Sequence, residues 1–373
     1  MAIPVPLLDL GAQHRSLSGE LSEAFERVLQ SGEFILGSEV TTFEAAVSQF
    51  LDVKHAIGVS SGSDALLAAL MALHIGPGDE VVTSSFSFFA TAGCIVRLGA
   101  KPVFIDIDPK TYNMDPSRLE AAITPRTKAI IPVHLYGQPC DMAAIDNVAR
   151  SHGLAIVEDA AQAIGSRTEH GFVGSLGNFG CFSFFPSKNL GALGDGGLLT
   201  TNDDALAKHA RILRAHGADP KYYHQHIGGN FRLDALQAAF LGVKLKHLYA
   251  WIEKRRACAD RYDEMFRAAR LDPDFLTIPH RQNASHVFHQ YVIRTAHRAR
   301  VIAQLQKDNI GHAIYYPLPL HMQPCFAHLD SAHLRLVHAE QASEQTLALP
   351  IYPELSEAQQ TRVVESVVTA LSG

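Results

Sequence analysis

A single lysine, Lys188, stands between an apolar segment and a glycine-rich loop. Residues 182–187 before it are mostly aromatic or small, and four glycines lie between positions 191 and 197. A lysine placed in this way can reach into a pocket, where the loss of solvent lowers the pKa of its amine. The neutral amine attacks carbonyl groups, so the pattern favours covalent chemistry through a Schiff base. Taken alone, however, a lysine in a connecting loop is usually a solvent-exposed side chain.

A second group of polar residues follows the apolar segment 155–157, where Glu158, Asp159 and Gln162 come in short succession. Ligands of parallel α/β sheets bind beyond the carboxyl ends of the strands, so Asp159 is well placed to face a ligand. A carboxylate at a strand end can also be a helix cap, and the spacing alone leaves this alternative open.

Two further strand ends carry features that suit a ligand. Gly62 and Ser63 open a helix directly after a strand, and the free N–H groups of a helix N-terminus bind phosphate. A simple N-cap is an equally good interpretation, since the turn matches neither the dinucleotide-binding nor the P-loop motif. The segment 86–89 supplies aromatic side chains that either pack in the core or stack on a planar ring.

One cofactor would use all four features together. Pyridoxal phosphate needs a lysine for its imine and a carboxylate beside its ring nitrogen. It also needs a phosphate-binding helix start and an aromatic surface for its ring. The combination of Lys188, Asp159, Ser63 and the segment 86–89 therefore predicts a pyridoxal phosphate site.

The elements that must position these residues alternate along the chain. Runs of Val, Ile and Ala alternate with segments of helical spacing, which predicts an α/β fold with a largely parallel sheet covered on both faces. Thr41 and Glu44 have the spacing of a capping box and predict a helix that begins there. The predicted strands cover 55–59, 80–84, 102–105, 129–133, 155–157, 181–184 and 197–201.

The chain length and a change of pattern predict two domains. The chain has 373 residues, which exceeds the usual size of a single core. A long helical stretch, 233–270, suits a connector, and strands and helices in a different arrangement follow it. We predict a large domain at 1–250 and a smaller C-terminal α+β domain at 251–373.

Composition argues against several other classes of protein. The net charge of −6, without a basic run, argues against nucleic-acid binding, and no apolar stretch approaches the ~20 residues of a membrane span. The N-terminus lacks the pattern of a signal peptide. Five scattered cysteines predict reduced thiols in a cytoplasmic protein. His224 and His226 lack a third ligand, so no metal is expected.

Several longer blocks of the sequence carry a resemblance to a known family. They occur in this order: GSDAL (62–66), GPGDEVVTSSFSFFATA (76–92), KPVFIDIDPKTYNMDP (101–116), TKAIIPVHLYGQ (127–138), VEDAAQAIGS (157–166), FSFFPSKNLGALGDGG (182–197), GGNFRLDALQAA (228–239) and YYPLPLH (315–321). They resemble the nucleotide-sugar aminotransferases of the DegT/DnrJ/StrS type. The resemblance implies the fold of that group, pyridoxal phosphate fold type I (aspartate aminotransferase-like), with a large mixed, mostly parallel sheet and a smaller C-terminal domain.

The resemblance also implies roles for the cofactor-facing residues. Lys188 would hold the cofactor as an imine and later move the proton between substrate and cofactor. Asp159 would pair with the ring nitrogen, Gln162 would contact the ring hydroxyl, and Phe88 would stack on the ring.

Further implied contacts involve the phosphate, a second subunit and the sugar. In the family the phosphate is held partly by the other subunit of a homodimer, and the nucleotide sugar meets residues from both parts of the chain. The implied phosphate contacts are Gly62, Ser63, Asp64 and Ser183, with Asn230 from the second subunit. The implied sugar contacts are Arg232, Tyr315 and His321.

Two departures from the common family pattern bear on the substrate. Ser63 replaces a frequent threonine and keeps the hydroxyl, whereas Asp195 stands where many relatives have glutamate. The block around Asp195 resembles the subgroup that acts on 3-keto sugars. We therefore expect amination of a dTDP- or UDP-linked 3-keto hexose, with L-glutamate as donor.

Three alternatives stay open. The nearer ones are a C4-aminotransferase and a sugar dehydratase on the same scaffold. The presence of Lys188 argues against dehydration, because that subgroup has histidine at this position. The third is a non-enzymatic regulator that retains the fold.

Overall fold

The computed structural model describes residues 4–271, 275–282, 285–329, 331 and 333–372. Its α-helices are α1 (Leu10–Ser16), α2 (Ser18–Ser31), α3 (Gly37–Leu51), α4 (Gly62–Ala72), α5 (Ala90–Arg97), α6 (Leu119–Ala122), α7 (Met142–His152), α8 (Asp204–Arg214), α9 (Ala235–Ala268), α10 (Arg298–Lys307), α11 (Val337–Gln345) and α12 (Glu357–Ser372). Its strands are β1 (His55–Val59), β2 (Glu80–Ser84), β3 (Lys101–Ile105), β4 (Thr127–Ile131), β5 (Ala155–Asp159), β6 (Arg167–Thr168), β7 (Gly171–Phe172), β8 (Phe179–Ser183), β9 (Gly197–Thr201), β10 (Tyr291–Arg294) and β11 (Thr346–Leu349). Short 3₁₀ helices cover Pro116–Arg118, Leu135–Gly137, Leu320–Met322 and Pro324–Leu329.

A seven-stranded sheet in the order β1-β9-β8-β5-β4-β2-β3 forms the centre of the molecule. β8, β5, β4, β2 and β3 run parallel, whereas β9 is antiparallel to both of its neighbours. β1 therefore has the same direction as the parallel strands, and their carboxyl ends share one edge of the sheet. The predicted α/β fold with a mixed, mostly parallel sheet is confirmed.

The strands consist largely of consecutive apolar residues because helices cover both faces of the sheet. Every residue of β2 and of β9 is buried. α4 is also buried almost all round, since it packs against β8, β9, α5 and α8. A helix enclosed in this way needs apolar residues on every side, which explains its alanines and leucines.

The start of α3 differs from the prediction. The helix begins at Gly37, and Thr41 lies inside it. Glu44 does not cap the helix, because its carboxylate accepts the Gly58 N–H at 2.7 Å and pairs with Arg214 at 2.5 Å. The capping-box prediction is therefore wrong, since a tertiary ion pair in the core engages the glutamate.

α9 links two cores of the molecule. Leu248 and Ile252 pack in a cluster that includes Phe182 of the central sheet, whereas Cys258 and Phe266 pack with the residues of the C-terminal part. The boundary predicted near 250 thus falls inside an unbroken helix, and the division into 1–250 and 251–373 stays a prediction. The N-terminal segment also joins the second core, through Val5.

All five cysteines are free thiols. Within the described residues, no helix has both the length and the apolar character that crossing a membrane requires.

Candidate active site

A cavity of about 400 Å³ lies at the carboxyl ends of the parallel strands. Residues that follow β1, β2, β5 and β8 line it, and the segment 315–316 from the C-terminal part contributes as well. Most of the predicted site residues meet here: Gly62, Ser63, Phe88, Asp159, Gln162, Ser183, Lys188 and Tyr315.

Lys188 lies in the turn after β8, where its N–H donates to the Phe185 carbonyl at 2.8 Å. The turn closes tightly, because a Cβ at Gly191 would come within 2.2 Å of the Pro186 carbonyl oxygen. Burial lowers the pKa of Lys188 to about 8, and the Asp159 carboxylate opposes part of this shift. A neutral amine is therefore accessible near neutral pH, as nucleophilic chemistry requires.

Asp159 ends β5 and is almost fully buried. Its Oδ2 accepts a hydrogen bond from Thr91 Oγ1 at 2.7 Å, and its Oδ1 accepts the Ala161 N–H at 3.3 Å. Burial raises the pKa of the Asp159 carboxyl, while the Thr91 and Ala161 hydrogen bonds and the positive charge of Lys188 lower it. The pKa of Asp159 stays above its ordinary value, so these contacts offset part of the cost of burying the charged carboxylate.

The adjacent carboxylate, Glu158, has a structural role and does not line the cavity. Its two oxygens accept the N–H groups of Gly174, Leu176 and Gly177 at 2.7–2.8 Å. His134 Nε2 lies 3.0 Å from the same carboxylate. Successive residues of a strand face opposite sides, so only Asp159 of the two acidic residues faces the cavity.

The turn from β1 to α4 offers free N–H groups beside the cavity. The Ser61 hydroxyl caps the N–H of Asp64 at 3.0 Å, which leaves the N–H groups of Gly62 and Ser63 for a ligand. A Cβ on Gly62 would come within 2.7 Å of the Ser183 Cβ, so only glycine allows α4 to approach β8 this closely. The turn has the donors and the dipole that a phosphate group requires.

Gln162 connects the cavity with the C-terminal part of the chain. Its Oε1 accepts the Tyr136 N–H at 2.7 Å, and its Nε2 donates to the Tyr316 hydroxyl oxygen at 3.0 Å. The Tyr136 hydroxyl in turn donates to the Tyr315 carbonyl. The tyrosine pair is thereby fixed at the cavity wall.

Aromatic surface is available at the cavity. Phe88 and Phe185 both line it and are 56% and 54% exposed. The Phe88 ring lies 6.2 Å from that of Tyr316. Side chains of this kind present a face on which a planar ring can stack.

Four predicted site residues lie outside this cavity. The Asp64 carboxylate accepts the Ser60 hydroxyl at 2.6 Å, and Asn230 is exposed. Arg232 pairs with Val59 through its backbone. His321 is buried, with Nε2 3.6 Å from Glu340. Their roles stay predictions.

Three residues that the motifs did not single out also belong to the site. Tyr316 and His289 line the cavity, and Thr91 holds Asp159. Tyr316 stands next to the predicted Tyr315, and Thr91 lies in the block 76–92, so neighbouring sequence contained a signal for both. No pattern pointed to His289.

The chain is similar to known proteins over almost its whole length. The sequence profile of the DegT/DnrJ/EryC1/StrS aminotransferase family matches residues 15–368. The chain is 50% identical over 364 residues to a protein of Geobacillus stearothermophilus named pleiotropic regulatory protein, with 97% of each chain covered. It is 45% identical over 369 residues to the UDP-N-acetyl-3-dehydro-alpha-D-glucosamine 3-aminotransferase of Acidithiobacillus ferrooxidans, with 99% of this chain and 98% of that one covered.

A solved structure agrees with this similarity. The chain superposes on S. venezuelae DesV in complex with a ketimine intermediate with a TM-score of 0.95 and 41% identity, covering 99% of this chain and 98% of that one. The predicted fold type I architecture is confirmed.

Proposed function

This chain belongs to the DegT/DnrJ/EryC1/StrS aminotransferase family, and we propose that it aminates C3 of a nucleotide-linked 3-keto hexose. The observation that carries the proposal is the cavity that joins Lys188, Asp159 and the β1–α4 turn. The relative from Acidithiobacillus ferrooxidans is named as a 3-aminotransferase of a UDP-linked sugar. UDP or dTDP is the proposed nucleotide, and L-glutamate is the proposed amino donor.

Pyridoxal phosphate is the proposed cofactor, and the residues present fit it. The free N–H groups at Gly62 and Ser63 and the hydroxyl of Ser183 suit its phosphate. Asp159 suits its ring nitrogen, and Phe88 suits its ring face. When bound, pyridoxal phosphate supplies a ring that withdraws electrons from the carbon that loses a proton.

Lys188 Nζ has two proposed tasks. It would hold the cofactor covalently in the resting enzyme, and its amine, once free, would move a proton. Its lowered pKa, about 8, allows the amine to accept that proton from one carbon and to return it to another. Asp159 would hold a negative charge beside the ring nitrogen, which would stabilise a positive charge there.

Two of the proposed sugar contacts belong to the lining of the cavity. Tyr315 and Asp195 line it, and both are proposed to meet the nucleotide sugar. Arg232 and His321 are proposed contacts on the basis of family resemblance, and neither lines the cavity of a single chain. The Asp195 loop supports the choice of C3, since its sequence resembles that of the 3-keto-sugar subgroup.

A homodimer is the proposed form of the enzyme. Tyr222, Tyr223 and Ile227 are 78%, 70% and 91% exposed in the segment that leads to Asn230. Exposed apolar side chains close together mark a surface that another protein covers. A second copy seated there would bring Asn230 to the phosphate of the neighbouring site. The free thiols support a reducing compartment, and the cytoplasm is the proposed one.

A purely regulatory protein is the second candidate, because the relative from Geobacillus stearothermophilus bears such a name. The lowered pKa of Lys188 and its presence with Asp159 in one cavity favour the enzyme. A regulator without cofactor chemistry would show no absorbance from bound pyridoxal phosphate after the free cofactor has been removed.

The test is a product assay with UDP- and dTDP-linked 3-keto and 4-keto hexoses, L-glutamate and pyridoxal phosphate. We expect NMR to place the new amino group at C3, and Lys188→Ala to abolish both turnover and the visible absorbance of the bound cofactor. Amination at C4 alone, or deoxygenation of the sugar, would refute the proposed specificity. Undiminished turnover by Lys188→Ala would refute the mechanism.

A further inference from the structure

Two buried hydroxyl groups form a chain that ends on Asp159. Thr91 in α5 is fully buried, and Ser87, in the turn before that helix, is 3% exposed. Ser87 Oγ lies 2.9 Å from Thr91 Oγ1, which lies 2.7 Å from Asp159 Oδ2. Each hydroxyl has one proton to donate. Because Thr91 donates its proton to Asp159, the Ser87 hydroxyl must donate to Thr91.

This direction of donation depends on the charge of Asp159. An ionised carboxylate is only an acceptor, whereas a protonated one carries a donor of its own. Both hydroxyl protons therefore point toward the negative charge, and donors aligned in series strengthen one another. The two hydroxyl groups stabilise the ionised carboxylate of Asp159, whose burial favours the neutral acid.

The same pair of hydroxyl groups also fixes the orientation of the Asp159 carboxylate. Thr91 occupies Oδ2, while Oδ1 has only the longer contact of 3.3 Å with the Ala161 N–H. Oδ1 thus keeps acceptor capacity for a group that enters the cavity, which Asp159 lines.

We propose that Thr91 is a positioning residue of this enzyme, which together with Ser87 keeps Asp159 ionised and turned toward the ligand. This rests on the proposed function, in which Asp159 pairs with a protonated ring nitrogen. The proposal assigns the effect to the Thr91 hydroxyl. Serine at this position should therefore preserve the ionised, oriented Asp159, whereas valine, which has nearly the same shape as threonine, should not.

The first experiment compares Thr91→Val with Thr91→Ser in the holoenzyme. Hydrogen bonds to charged groups are the strong ones, so we expect Thr91→Val to reduce kcat/KM and the affinity for pyridoxamine phosphate about tenfold or more. The hydrogen bond from Thr91 lowers the pKa of Asp159, so its loss should raise that pKa. The acid limb of the pH profile of kcat/KM should therefore move to higher pH. Thr91→Ser should keep the wild-type limb.

The second experiment measures the carboxyl group without any reaction. Infrared difference spectra of the ligand-free protein, with Asp159→Asn as the reference, follow the protonation of Asp159 against pH. We expect its midpoint to be higher in Thr91→Val, by about one pH unit, and higher by a smaller amount in Ser87→Ala. This measurement stands even if the substrate proves to be different from the one proposed.

Thr83→Val is the matched control. Thr83 is also fully buried, and its hydroxyl donates to the Ile131 carbonyl at 2.9 Å instead of to Asp159. We expect it to leave the acid limb and the infrared midpoint unchanged. The proposal is overturned if Thr91→Val keeps both wild-type values, if Thr91→Ser behaves like Thr91→Val, or if Thr83→Val shifts them equally. Should Thr91→Val fail to fold, Ser87→Ala decides alone, and an unshifted midpoint overturns the proposal.

Discussion

At the scale of single residues, the site depends on two side chains whose pKa values burial moves in opposite directions. Burial lowers the pKa of Lys188 and raises that of Asp159, because it disfavours the charged form of each. Each charge partly offsets the shift of the other. The contacts that oppose these shifts differ in kind. Asp159 accepts hydrogen bonds from Thr91 and Ala161, whereas only the charge of Asp159 opposes the lowered pKa of Lys188.

The first prediction concerns the titration of Lys188 in the ligand-free protein. An amine is acylated only in its neutral form, so labelling of Lys188 should reach half of its maximum near pH 8 instead of the ordinary 10.5. Competitive acetylation followed by mass spectrometry of the peptide measures this midpoint. In Asp159→Asn the midpoint should be lower still, because the carboxylate raises the pKa of the lysine. A midpoint at 10 or above would show that the amine is not desolvated.

At the scale of elements, the proposed phosphate-binding turn depends on the close approach of α4 to β8. Gly62 starts the helix, and Ser183 ends the strand. The local sequence predicted the turn but not the contact between Gly62 and Ser183. A glycine after a strand is common and does not indicate which strand lies beside it. The requirement for glycine arises from the neighbouring strand, whose Ser183 Cβ occupies the space that a Gly62 side chain would need.

The second prediction is that Gly62→Ala weakens binding of pyridoxal phosphate about tenfold or more while the protein stays folded. The new Cβ would come within 2.7 Å of the Ser183 Cβ, so the helix start must move and its N–H groups lose their alignment. Fluorescence titration measures the affinity, and thermal unfolding checks the fold. Gly19→Ala is the control, because it also lies in the first turn of a helix and its Cβ meets nothing within 4 Å. Equal affinities of the two variants would contradict the assignment of the turn.

At the scale of the whole molecule, the C-terminal part of the chain completes the cavity. Tyr315 and Tyr316 enter it from beyond α10, and Gln162 holds the Tyr316 hydroxyl at 3.0 Å. A second connection lies at α11, where the Asp106 carboxylate accepts the N–H groups of His338 and Ala339. The central sheet and the C-terminal part therefore share one site.

The third prediction tests whether two copies share that site as well. If Asn230 serves the site of the neighbouring subunit, a mixed dimer of one Lys188→Ala chain and one Asn230→Ala chain has one intact site. That site combines Lys188 of the second chain with Asn230 of the first. Activity should therefore reappear on mixing, measured after refolding the two variants together. Each variant refolded alone is the control. No recovery, despite mixed dimers seen by native mass spectrometry, would place Asn230 in the site of its own chain.

The sequence by itself determined which residues are proposed to carry the chemistry and which elements bear them. Lys188, Gly62 and Ser63 each follow an apolar strand, and Asp159 ends one. Strand periods and turn preferences act over a few residues. The alternation of strands and helices likewise predicted the mostly parallel sheet. These features are local, so they can be predicted without knowing which elements are neighbours.

The tertiary structure alone decided which of these residues meet. The order β1-β9-β8-β5-β4-β2-β3 differs from the order along the chain, and it sets the distances between strand ends. It also joins Thr91 to Asp159 across 68 residues and Gln162 to Tyr316 across 154. The same effect overturned the capping box at Glu44, whose carboxylate pairs with Arg214 at a separation of 170 residues. Contacts at such separations depend on how the whole sheet packs, and local patterns contain no information about that packing.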